Sequence, residues 1–458
     1  MPPQDPLLAG SAQVCITPPL GTQLAGDIGR RRPAETVLDP LYARALYLRS
    51  GETQVCILAL DLLSVGDTCV HELRRRAEAQ AGIPAPCVMV HSSQTHAAPT
   101  LGHLNITEPT PHVPEGCDWI RGGDDGYIEL ALRGAVEAIS QAKERLTPVS
   151  VGWAGGVESR VAFNRRFVMR DGTAKTHPGA ADLANVLHVE GPTDPEVGLL
   201  CLTRDDLTLA GALLHHTCHP THGYPHRFVT ADWPGLWAEA FRRTGAGEFS
   251  ALTLNGCCGN IAHVNHLDPA HPIGTDVMVS CLMETTEGLR RNLRHDGAAT
   301  LATASRVVEV PLRRLDREDV AAAEALLQAN PEPMWLDEAH TSVAWDWVYA
   351  LSNLDLERTG RSRPTYPMEV QAIRIGDVAL VGVPGEPFVE GQLQIKQQSP
   401  AKRTFVSHMS NGHAGYIPTP AALGRGGYET RTCNWSRLAP EALEAMVTAA
   451  REALEQLF

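Results

Sequence analysis

Five short apolar runs along this chain each lead into a polar or histidine-bearing segment, and imidazoles, amides and carboxylates collected at strand ends are the material of acid–base and hydrolytic chemistry. The runs Val88 to Val90, Leu213 to Leu214, Leu252 to Leu254, Ala379 to Val383 and Phe405 to Ser407 precede HSSQTHAAP, HHTCHPTH, NGCCGN, PGEP and MSNGHAGY. Runs of this kind read as buried strands, and their carboxyl ends are where open α/β sheets place their sites. The pattern is that of an enzyme.

The densest histidine group is His215, His216, His219, His222 and His226. Spacings of three and four would put several imidazoles on one helix face. The stretch follows an apolar strand and contains Pro220, Gly223 and Pro225, so it reads as a loop and excludes a helical zinc-protease geometry. Some of these histidines are candidates to contact an anionic or hydroxylated substrate; others are loop surface. His103, His112 and His177 lie in Pro/Gly-rich loops that could form a rim. Cys257 and Cys258 stand near His263, the composition of a thiolate nucleophile. Apolar burial raises a thiol's pKa and makes it inert, and that is the preferred reading of both.

The elements that must position these groups alternate between strand and helix. Gln54 to Leu63 reads as a strand, Asp67 to Ala81 as a helix with basic residues late, and Ile128 to Leu146 as a second helix. Ser150 to Trp153 is a strand, Gly198 to Leu202 and Ala210 to Leu214 a hairpin, and Trp233 to Thr244 and Thr275 to Leu293 are helices. Leu301 to Leu312 and Glu369 to Val383 alternate as strands, with helix at about 316 to 330 between them. Pro440 to Leu457 closes as an amphipathic helix with Pro440 near its first turn. No linker, repeat or low-complexity block divides the 458 residues, so one continuous α/β unit over 1–458 is expected, a mixed sheet core flanked by helices.

A net charge of −14 argues against non-specific binding to nucleic acid or anionic membrane. The basic triplet Arg30 to Arg32 reads as a solvated loop. No apolar stretch approaches the ~20 residues of a membrane span, and MPPQDPLLAG lacks the regions of a secretory signal, so a cytoplasmic location is expected. Eleven scattered cysteines without a CxxC pair read as reduced core thiols.

ITPPLGTQLAGD, DPLYARALYL, LALDLLSV, SQTHAAP, FNRRF, GPTDPEVGLL, CHPT, TADWPG, GCCGN, VPGEPF and NGHAGYIPTP occur in the order seen in neutral and alkaline, non-lysosomal ceramidases. The chain resembles a divergent bacterial relative of those amidases over roughly residues 10 to 458, without the immunoglobulin-like C-terminal domain that ceramidases carry. The resemblance implies a zinc site. Its ligands would be His219, in HPT; Glu386, in PGE, where a carboxylate after so apolar a strand needs a cation or donors; and Tyr416, whose phenol ionises readily only beside a cation. Ceramidases have a fourth ligand, a histidine, where this chain has Gln94. An amide oxygen is a weak, neutral donor that zinc seldom uses. Three arrangements are therefore open: a weakened or different metal, a chain shift that makes His96 the ligand, or no metal.

By the same resemblance Arg165, in FNRRF, would contact the amide or its developing oxyanion, as opposed to forming a surface salt bridge. Tyr428, twelve residues after Tyr416, would be a second active-site tyrosine. His96 would transfer a proton or hold a substrate hydroxyl. The serine proposed as a nucleophile in ceramidases is here Ala262, which excludes that acyl-enzyme route. The expected activity is hydrolysis of a linear amide in a small-molecule N-acyl substrate by metal-activated water, with zinc the first candidate. A soluble polar amide is at least as good a substrate candidate as ceramide. The losses at Gln94 and Ala262 also motivate a non-catalytic binding relative, and an ester or lactone hydrolase could use the same groups.

Overall fold

The computed structural model describes residues 5–272, 274–296 and 299–458. Three mixed sheets share one interior. The first orders its strands Val88–Ser92, Thr53–Leu60, Tyr42–Ser50, Leu8–Cys15 and Thr147–Pro148, with the Val88–Ser92 pair parallel. The second runs Ala251–Asn255, Leu209–His216, Glu196–Thr203, Ser150–Val157 and Arg294–Asp296, with Ala251–Asn255 parallel to its neighbour. The third is Leu301–Pro311, Thr365–Ile375, Val378–Gly382 and Arg403–Ser407, its last pair parallel.

Leu46, Ile57 and Met89 of the first sheet, Leu200, Leu213 and Leu254 of the second, and Ile373, Leu380 and Phe405 of the third belong to one buried cluster. Helices cover the opposite faces. Asp67–Ala81 and Asp125–Glu144 pack on the first sheet, Asp232–Thr244 and Thr275–Arg290 on the second, and Ala442–Leu457 on the third. Each sheet is thus apolar on both sides, which is why the strands read as unbroken apolar runs. The mixed-sheet α/β expectation holds, although the sheets form a shared interior and not a single open layer. Among the described residues no helix is long and apolar enough to cross a membrane.

The strand and helix expectations hold to within a few residues, and several further elements lie where none was expected. Trp345–Ser362 is a helix, and Arg166–Met169, Ala174–Thr176 and Val186–Val189 form a small separate sheet.

The third sheet meets the second through Phe405, whose ring stacks on His215 at 5.2 Å between centroids. Gly198, paired opposite His215, makes room for that ring; a Cβ there would overlap it. Phe405 is fully buried and cannot swing aside. Gly198→Ala is expected to destabilise the fold by about 1–3 kcal/mol, the usual range for overpacking, read as a lower urea midpoint.

The five strand ends are tied to one another by hydrogen bonds. His91 Nδ1 lies 2.8 Å from the His408 carbonyl oxygen, His408 N–H donates to Asn255 O at 3.0 Å, and Gly256 N–H to His216 O at 2.9 Å. His215 Nε2 is 3.0 Å from Val406 O. Asn255 closes the set by donating through Nδ2 to Ser93 O and Cys218 O at 3.1 and 3.0 Å. The loops that leave these ends start from fixed points, and they carry the candidate site.

Candidate active site

His219 lies just beyond the Leu209–His216 strand, where its backbone bridges Ala262. Its Nδ1 sits 2.9 Å from Cys258 O, so the ring proton is held there and Nε2 keeps its lone pair. That Nε2 is buried without a hydrogen-bond partner and lies 3.5 Å from Glu386 Oε2, which is equally unpartnered. Glu386 and Tyr416 stand opposite each other in a two-residue parallel ladder, Glu386–Pro387 against Tyr416–Ile417. Burial lifts the Glu386 pKa to about 7, against the pull of Arg165 and the hydrogen bonds of Gln94 and Tyr416. Burial and the neighbouring Glu386 push the Tyr416 phenol well above its ordinary value.

His96 presents a second bare imidazole. Its Nδ1 is 3.1 Å from Gly26 O, its Nε2 is buried and unpartnered, and its ring centroid is 5.1 Å from that of His219. Burial first, then Arg32 and Arg165, lowers its pKa to about 3, so the ring is neutral and Nε2 accepts. Gly26 adopts φ +99°, and a side chain there would strike the His96 ring. Arg32 belongs to the same support: it is 2 % exposed and its Nη2 donates to His96 O at 3.0 Å. This corrects the solvated-loop reading for Arg32, whose guanidinium satisfies backbone carbonyls that the loop leaves inside, while Arg31 is exposed.

Gln94 occupies a left-handed backbone conformation, φ 70°, which costs a non-glycine residue about 1–3 kcal/mol. Its amide oxygen accepts from the Cys258 thiol at 3.4 Å, and its side chain favours the charged form of Glu386. Burial raises that thiol's pKa well above its usual value, so it stays a donor. With its oxygen turned toward sulfur, the amide leaves its NH2 to face other groups. At the position where the sequence resemblance implies a ligand, this chain places an amide whose oxygen is taken by a thiol.

Arg165 is buried in a charge network and is no surface salt bridge. Its Nε donates to Glu429 Oε1 at 2.9 Å, and its Nη2 donates to Gly259 O at 2.7 Å and to the Tyr416 hydroxyl at 3.0 Å. Burial works against its charge, and Tyr416 and Glu429 outweigh that, raising its pKa. Glu429, fully buried, also accepts from Arg166 Nη1 and Thr176 Oγ1, each at 2.7 Å. Its carboxyl is held below the usual range because Arg165 and Arg166 overcome burial. Nothing in residue type or spacing singled out Glu429. Tyr428 places its ring 5.8 Å from Tyr416 and is 40 % exposed, at the mouth of the site.

The remaining histidines and cysteines fall into supporting positions. His215 and His216 belong to the strand and not to a loop, bonded to Val406 O and Glu196 O. His222 pairs with Asp232 at 2.7 Å and stacks on His263 at 3.8 Å, while His226 is exposed. His263 is 3.4 Å from Thr221 Oγ1 and stacks on His222, so its partners are these two residues and not a thiol. Cys257 and Cys258 are fully buried, with their pKa values raised by burial. His103 pairs with Asp125 at 3.1 Å, His177 with His266 at 2.8 Å, and His112 is exposed.

Gln94, His96, Glu386, Tyr416 and Tyr428 line one cleft of about 680 Å³ including its open mouth, walled by Trp119, Trp345 and Trp435. Among the described residues no cluster of three or more His, Cys, Asp or Glu side chains is arranged around a metal position. The convergent set here has one imidazole, one carboxylate and one phenol, with His96 beside them. Two unpartnered lone-pair atoms 3.5 Å apart, in a buried pocket, fit a bound cation, which would satisfy both. Gln94 as oriented does not fit that role.

Fold and site together define a mixed α/β scaffold with a buried imidazole–carboxylate–phenol group under an aromatic cleft. Two solved structures with a similar fold are ceramidases. Neutral ceramidase from Pseudomonas aeruginosa superposes with a TM-score of 0.73 at 16 % identity, over 99 % of this chain and 75 % of that one. A ceramidase complexed with C2 gives a TM-score of 0.73 at 16 % identity, over 99 % and 76 %. No family model matches the sequence, and no curated protein matches it.

Proposed function

We propose that this chain hydrolyses the carbon–nitrogen bond of a linear amide in a small-molecule N-acyl substrate, with a divalent cation, zinc first, held by His219, Glu386 and Tyr416. The observation that carries the reading is the pair of buried, unpartnered atoms His219 Nε2 and Glu386 Oε2 facing each other beside the Tyr416 hydroxyl. A bound zinc would polarise a carbonyl and lower the pKa of a coordinated water toward ~7. The chain's own groups divide the rest. Arg165, a fixed buried cation on the Tyr416 hydroxyl, favours negative charge developing on the carbonyl oxygen. His96 Nε2, neutral and bare, accepts a hydrogen bond from the attacking water or from a substrate hydroxyl and so orients it. Tyr428 holds the substrate at the mouth. Water attack needs no protein nucleophile, which accords with Ala262 and with inert Cys257 and Cys258.

Purified protein should release free amine from an N-acyl panel, and chelation should abolish the release. His219→Ala should lower both zinc content and turnover, the latter by more than the 10–100-fold that loss of a supporting residue typically costs. No turnover on a broad amide and ester panel with any added divalent metal would sink the reading. The Gln94 oxygen, taken by the Cys258 thiol, favours one rival, a non-catalytic binder, since it withholds a fourth ligand. About one equivalent of tightly held zinc after reconstitution supports the enzyme; an empty pocket supports the binder. An ester-only turnover profile would shift the substrate class and keep the site.

A further inference from the structure

The third sheet has one open side, away from the candidate site. Its outermost strand, Leu301–Pro311, is 11 residues long and pairs with Thr365–Ile375 in an unbroken register. Among the described residues no other strand adjoins it. Edges of this kind invite pairing unless a bulge, a proline or inward charges interrupt them, and here the one proline, Pro311, stands at the very end.

The two neighbours of the strand show which backbone groups are free. Leu312 N–H donates to Pro364 O at 2.9 Å and Gly376 N–H to Thr300 O at 2.8 Å, so the even-numbered residues turn their main chain inward, toward Thr365–Ile375. Glu309 stands opposite Pro367, which has no N–H to give, as an odd-numbered position requires. Thr303, Ser305, Val307 and Glu309 therefore aim their N–H and C=O groups outward. Arg306 Nη1 donates to Ser305 O at 3.0 Å and covers one of them. The side chains alternate as well. On the face toward the Ala442–Leu457 helix, Arg306 lies 3.8 Å from Glu452, and Val308 borders an open groove with Glu441, Glu444 and Glu452. On the other face Val307 is 62 % exposed.

We propose that Leu301–Pro311 is a dimer interface, in which the strand pairs antiparallel with the same strand of a second copy about a two-fold axis through Val307. Opposed residues are then both odd or both even, so each face of the sheet runs on into the partner. Val307 meets the partner's Val307, covering the most exposed apolar side chain of the strand, and Ser305 meets the partner's Glu309, with their outward N–H and C=O groups exchanged. Arg306 comes opposite the partner's Val308, at the acidic groove, and trades Ser305 O for a carboxylate there. An axis through Arg306 would instead set two guanidinium groups against each other, so charge selects the register. The inference is independent of the hydrolase reading.

The test is sedimentation velocity on the full chain over a rising concentration series. A species of twice the monomer mass should grow with concentration. Val307→Pro removes an outward N–H that the ladder to Thr365–Ile375 does not use, and Arg306→Glu reverses the charge that meets the groove. Each should weaken dimerisation by about tenfold or more. Arg306→Glu changes a partly exposed side chain, so it tests the interface even where the proline variant fails to fold. A monomer at every concentration overturns the proposal, as does a dimer that Arg306→Glu and a folded Val307→Pro leave unchanged. A chain that stays monomeric yet binds an alternating Lys/Val peptide gives the edge to a foreign strand and overturns the second copy as its occupant.

Discussion

Glu429→Ala is expected to destabilise the protein by about 3–5 kcal/mol and to lower amine release by about 100-fold or more. The carboxylate is fully buried between two guanidinium groups whose side chains are 5 % and 0 % exposed. Removing it leaves Arg165 and Arg166 with repelling, desolvated charges. Arg166 retains Glu190, but Arg165 keeps only Gly259 O and the Tyr416 hydroxyl. The stability loss follows from the uncompensated charges, and the activity loss follows because nothing else fixes Arg165 Nε. Urea unfolding reads the first effect, and amine release by folded protein at low temperature reads the second. Glu429→Asp should recover part of both, since charge is restored with imperfect reach. Wild-type stability in the alanine variant would show that the network is not what holds Arg165.

Gln94→His is expected to tighten divalent-cation binding by at least about tenfold, about 1.4 kcal/mol. The substitution exchanges an amide whose oxygen is taken by the Cys258 thiol for an imidazole nitrogen, a good zinc ligand. It also ends the thiol–amide contact to Cys258, a weak bond whose loss is small beside a new ligand. The measurement is zinc competition against a chelator, with the zinc-dependent rise in melting temperature as an independent readout. Unchanged affinity would mean that position 94 does not face the cation, and that His96 Nε2 is the remaining nitrogen available.

How much of this was legible in the sequence varied with how local the cause was. The Asp67–Ala81 helix could be bounded because its pattern is complete within itself, ending at Gly82 in the left-handed conformation. The five strand ends could be read because strands buried on both faces leave an apolar run and an abrupt polar boundary. The Trp345–Ser362 helix escaped because polar residues interrupt its apolar stripe on the buried side. Ser352 Oγ accepts from Asn434 N–H at 2.8 Å, and Asp355 accepts from Asn434 as well as from Arg358 one turn on, so each has a partner that lies elsewhere in the fold. Arg32 and Glu429 were invisible for the same reason: a charged side chain looks solvated until the groups that pair with it are brought to it. His219, Glu386 and Tyr416 came from the motif resemblance, and the fold sets them side by side. The outward turn of the Gln94 amide oxygen could not have been foreseen, since it depends on a thiol 164 positions away.

The ladder that joins Glu386 to Tyr416 makes those two groups a single mechanical part. Their spacing is set by main-chain pairing, with Glu386 N–H donating to Gly415 O at 2.8 Å, and side-chain rotation has little say in it. His219, Gln94 and His96 reach the same space from loops. Selection or engineering that retunes the site for another ion should therefore act on the loop-borne residues, while the carboxylate and phenol move together or not at all.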